Sequence, residues 1–213
     1  YVLLGLGLLF VKFKPPEESG QDAKTRMRSD ERRLDRLFFV LIGCTLAYWG
    51  IYSQWPLVVP LYAESGFGTP LGSSWVYTGN AILILVLQYP LLVKLLKPVR
   101  SSYVLAIGFL LFVGSFLVLP IPAGPATVIL FATFFSLAEL LVSPTLDEAT
   151  AQLRREGAGL TRAYGTTATA AGVSSLIGAS AGGALIEHFD SPASVMYLAV
   201  PLAVLGFTGA VVL

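Results

Sequence analysis

Residues 101–138, SSYVLAIGFLLFVGSFLVLPIPAGPATVILFATFFSLA, contain no charged side chain. A membrane-crossing helix needs about 20 mostly apolar residues. The run is therefore too long for one crossing and long enough for two. The turn chemistry of PIPAGP at 120–125 divides it into spans over 103–120 and 126–146. The flanking sequence then falls into the same pattern. Residues 37–63 are uncharged between Arg36 and Glu64 and long enough to span as one helix. Residues 65–93 are uncharged too, but ESGFGTPLGSS at 64–74 is a turn, so that helix is expected over 75–96. Two more, 163–186 and 194–213, follow Arg162 and the Asp190-Ser191-Pro192 break.

Composition agrees. The 213 residues are 55% hydrophobic and only 13% charged, against about 25% charged in a soluble domain, and mean hydropathy is +0.74. The fold class is an all-α polytopic membrane protein, a six-helix transmembrane bundle over 37–213. One cysteine (Cys44) and one histidine (His188) exclude an internal disulfide framework and a His/Cys metal cluster. They also leave no nucleophile–base pair, so the chain is not expected to be an enzyme. Tyr1 stands where a start would carry methionine. Residues 1–13 read as the end of a preceding transmembrane helix, and the chain as a piece of something longer.

The charges carry the topology. Loops 12–36, 94–102 and 147–162 hold Lys12, Lys14, Lys24, Arg26, Arg28, Arg32, Arg33, Arg36, Lys94, Lys97, Arg100, Arg154, Arg155 and Arg162, which are all 14 basic residues. The alternate loops, 64–74, 121–125 and 187–193, hold none. Under the positive-inside rule the first set is cytoplasmic, and so is the C-terminus. Residues 14–36 form a linker in which Glu17, Glu18, Asp22, Asp30, Glu31 and Asp35 alternate with the bases. That alternation reads as a solvated segment ending in a short helix, not as a nucleic-acid-binding patch.

Three stretches resemble a known family. YWGIYSQWPLVVPLY (48–62) is similar to the seventh helix of bacterial drug:proton antiporters. NAILILVLQYPLLVKLLKPVRSSYVLAIGFLL (80–111) is similar to their eighth helix, basic turn and ninth helix. AELLVSPTLDEATAQL (138–153) with GLTRAYGTTATAAGVSSLIGASAGGALIE (159–187) is similar to the tenth helix, its loop and the glycine-rich eleventh. The chain thus resembles the C-terminal half, helices 7–12, of a major facilitator superfamily transporter, most like the drug:proton antiporters. The resemblance implies several things: an N-terminal six-helix half as partner, a small-molecule substrate bound between the halves, a proton gradient in place of a cofactor, and a bacterial inner membrane.

Glu139 is the one acid well inside the six complete spans, about 8 residues or 12 Å from its cytoplasmic helix end. A carboxyl at that depth must face protein or water. It reads either as a proton carrier or partner of a cationic substrate, or as a hydrogen-bonded lock between helices. On the 37–63 helix Tyr48, Tyr52 and Trp55 recur at helical spacing. With Gln54, they are candidates for a cavity wall suited to amphipathic or cationic compounds, the alternative being helix packing. Asn80 and Gln88, two turns apart, are further cavity candidates, the alternative again being interhelical hydrogen bonds. Gly172, Gly178, Gly182 and Gly183 suit close helix packing and sliding, with GxxxG at 178–182. Pro60, Pro90 and Pro144 are expected kink sites. Asp147 and Glu148 are expected to pair with Arg154 or Arg155 in the same loop, the alternative being a basic group of the N-terminal half. Two other functions remain open: a superfamily importer of a metabolite such as a sugar or peptide, and a membrane scaffold or sensor that transports nothing.

Overall fold

The computed structural model describes residues 24–91, 99–152 and 160–213. The expected helix end at 1–13, residues 14–23 of the linker and the basic residues Lys94, Lys97, Arg154 and Arg155 lie outside them. The described chain forms α1 (Lys24–Tyr52), α2 (Trp55–Phe67), α3 (Gly72–Tyr89), α4 (Ser101–Val118), α5 (Pro125–Gln152), α6 (Leu160–Phe189), a 3-10 turn (Pro192–Val195) and α7 (Met196–Val212). Every regular element among these residues is helical, as a bilayer requires of segments that must satisfy their own backbone groups. Five segments are long and apolar enough to cross a membrane: Arg36–Phe67, Ser101–Val118, Pro125–Gln152, Thr161–Phe189 and Pro192–Val212. The chain is an integral membrane protein. The span expected over 75–96 is represented by α3 and a π turn at 90–91, beyond which residues 92–98 are not described.

Two boundaries differ from the sequence reading. Helix α1 already begins at Lys24, inside the polar linker, and runs unbroken into the apolar segment. The span expected over 37–63 is interrupted at Ser53 and Gln54. Pro56 explains the break, because its ring clashes with the carbonyl four residues back, that of Tyr52, and it has no N–H to donate there. Of the prolines expected to kink helices, Pro60 and Pro144 sit inside α2 and α5 and Pro90 directly follows α3.

Helix α4 packs extensively on α5 and α7, and α1 on α7 and α6. The core between them is aromatic. Phe109, Phe112 and Phe116 of α4 and Phe131 and Phe135 of α5 are fully buried, each burying on the order of 150–250 Å² of side chain. Helix α3 is held differently. Of its 18 residues only Gly72 and Val76 are buried, and Leu83 and Ile84 pack against a small cluster of Val104, Leu140 and Leu141. Hydroxyls inside the spans return their protons to the preceding turn, as Thr45 does to Leu41 O (2.9 Å), Ser136 to Ala132 O (2.7 Å) and Thr145 to Leu141 O (2.6 Å).

Candidate functional site

Glu139 is half-buried on α5, and two other helices reach it. From α3, Asn80 Nδ2 donates a long hydrogen bond of 3.5 Å to Glu139 Oε2. From α1, the Tyr52 side chain lies close to the same carboxyl. Tyr52 can do so because it is the last residue of α1 before the Pro56 break, with its ring turned toward α5 and Phe135 at 6.0 Å. One turn earlier, Tyr48 is buried against Tyr52 and Phe112 and meets the Ser143 hydroxyl on α5. Three helices therefore converge on one carboxyl through a phenol and an amide. Either side chain can donate to an ionised carboxyl and accept from a neutral one.

The remaining candidates are distributed as follows. Trp55 is 3% exposed and stacked on Phe135 and Phe131, with centroids 4.2 and 5.6 Å away. Gln54 is wholly enclosed, and its Nε2 donates to Gly50 O (2.9 Å) on its own helix and to Gly178 O (2.9 Å) on α6. Its amide thus seals the helix break and ties α1 to α6. Gln88 is exposed near the far end of α3 and does not join Glu139. Among the glycines, a Cβ at Gly178 would meet Ser53 Oγ and the Gly50 backbone, and one at Gly182 would meet the Gln54 amide. Gly172 and Gly183 have nothing within 4 Å. The GxxxG pair is therefore the groove that receives the broken segment of α1, and the other two glycines face open space.

Two clefts lie nearby, neither lined by Glu139 itself. One, of about 270 Å³, lies between α1, α5 and α6 and is lined by Tyr48, Trp49, Ser143, Asp147 and Tyr164. The other, of about 360 Å³, lies between α2, α3 and α5. Neither is lined by Gln54 or Trp55. Asp147 is exposed, and its backbone oxygen accepts from Tyr164 OH at 3.0 Å; the pairing expected with Arg154 or Arg155 lies outside the described residues. Ser53, Tyr77 and Ser143 were not anticipated from the sequence. Lone hydroxyls in apolar runs carry little signal until the facing helix is known.

No family model matches the chain, and no solved structure matches it. A curated relative does: the chain is 30% identical over 169 residues to the uncharacterized MFS-type transporter YttB of Bacillus subtilis, where MFS denotes the major facilitator superfamily. That likeness supports membership of the superfamily. The alignment takes in 78% of this chain but 42% of the relative, so the chain spans less than half the length of the protein it matches.

Proposed function

We propose that the chain is the C-terminal six-helix half of a major facilitator-type secondary transporter. On this reading it expels small amphipathic, drug-like compounds across a bacterial inner membrane in exchange for protons. The observation that carries the reading is the half-buried Glu139 on α5, which accepts a hydrogen bond from Asn80 on α3 and lies close to Tyr52 on α1, two side chains able to serve either protonation state. The energy source is the proton gradient, and no bound cofactor is required. Substrate binds between this half and an N-terminal six-helix half, and the halves rock around it. Two unpartnered stripes suit that second half: Ile82, Leu85, Val86 and Tyr89 on α3, and Val173, Leu176 and Ile177 on α6, all largely exposed. The C-terminus lies in the cytoplasm, on the side of the basic loops.

The test is substrate-driven pH change in proteoliposomes holding the intact natural protein. Glu139→Gln keeps the hydrogen-bonding shape but cannot ionise, so it should abolish proton movement while substrate still binds. Unaltered coupling in that variant removes Glu139 from the mechanism.

A further inference from the structure

We draw no further inference here: the strongest candidate, the cleft of about 270 Å³ between α1, α5 and α6 lined by Asp147 and Tyr164, carries nothing because its charge depends on whether Asp147 pairs with Arg154 or Arg155, which lie outside the described residues.

Discussion

Gln54 illustrates how one side chain can be read two ways from sequence. An amide in an apolar run must find partners, and a cavity wall and a helix contact both supply them. The structure supplies the second. Helix α1 ends at Tyr52, the Gln54 N–H turns back to Ile51 O, and Gly50 O is left to accept from Ser53 Oγ (2.8 Å) and Gln54 Nε2 (2.9 Å). Replacing Gln54 by leucine removes the bond to Gly178 O and half the cap on Gly50. We expect the protein to lose about 1 kcal/mol of stability, read as a lower midpoint in a denaturant titration of detergent-solubilised protein, with substrate affinity little changed. A collapse of binding without loss of stability would mean that Gln54 touches substrate after all.

Helices α1 and α6 meet at the break, and their contact depends on the absence of two side chains. Gly178 and Gly182 let the Gly50–Gln54 segment approach until its amide and hydroxyl reach the α6 backbone. Gly178→Leu forces atoms into that contact and should cost about 1–3 kcal/mol, the usual range for overpacking. Gly172→Ala, where a Cβ meets nothing within 4 Å, should leave the melting temperature unchanged. Comparing thermal unfolding of the two variants checks the assignment, and equal effects would contradict it. The same pair distinguishes packing glycines from open ones, which the sequence presented as a single group of four. Their periodicity is alike, but only the register of α6 against α1 separates them.

For the molecule as a whole, topology is the property open to the simplest experiment. Cys44 is the sole cysteine and is 1% exposed, so single-cysteine reporters can be added on a silent background. Glu187→Cys, on the side without bases, should react with a membrane-impermeant thiol reagent in intact cells, and Gln152→Cys only after lysis. The reverse pattern would invert the proposed orientation. Hydropathy and charge, read along one dimension, made the helical class, five of the crossings and the division at PIPAGP legible, because the bilayer imposes length and polarity on each segment independently of its neighbours. They also singled out Glu139, since a carboxyl inside a span is conspicuous wherever the helix points. They did not reveal the break before Pro56, because Pro56 and Pro60 in one apolar run look equivalent until backbone carbonyls need partners. Nor did they show which polar residues meet that carboxyl: Tyr52 and Asn80 do, while Gln54 and Gln88 do not. That selection depends on the rotation and register of α1, α3 and α5 against one another, set by the packing of Tyr48 and Tyr52 on Phe112 and Phe135 and of Leu83 and Ile84 on Leu140 and Leu141.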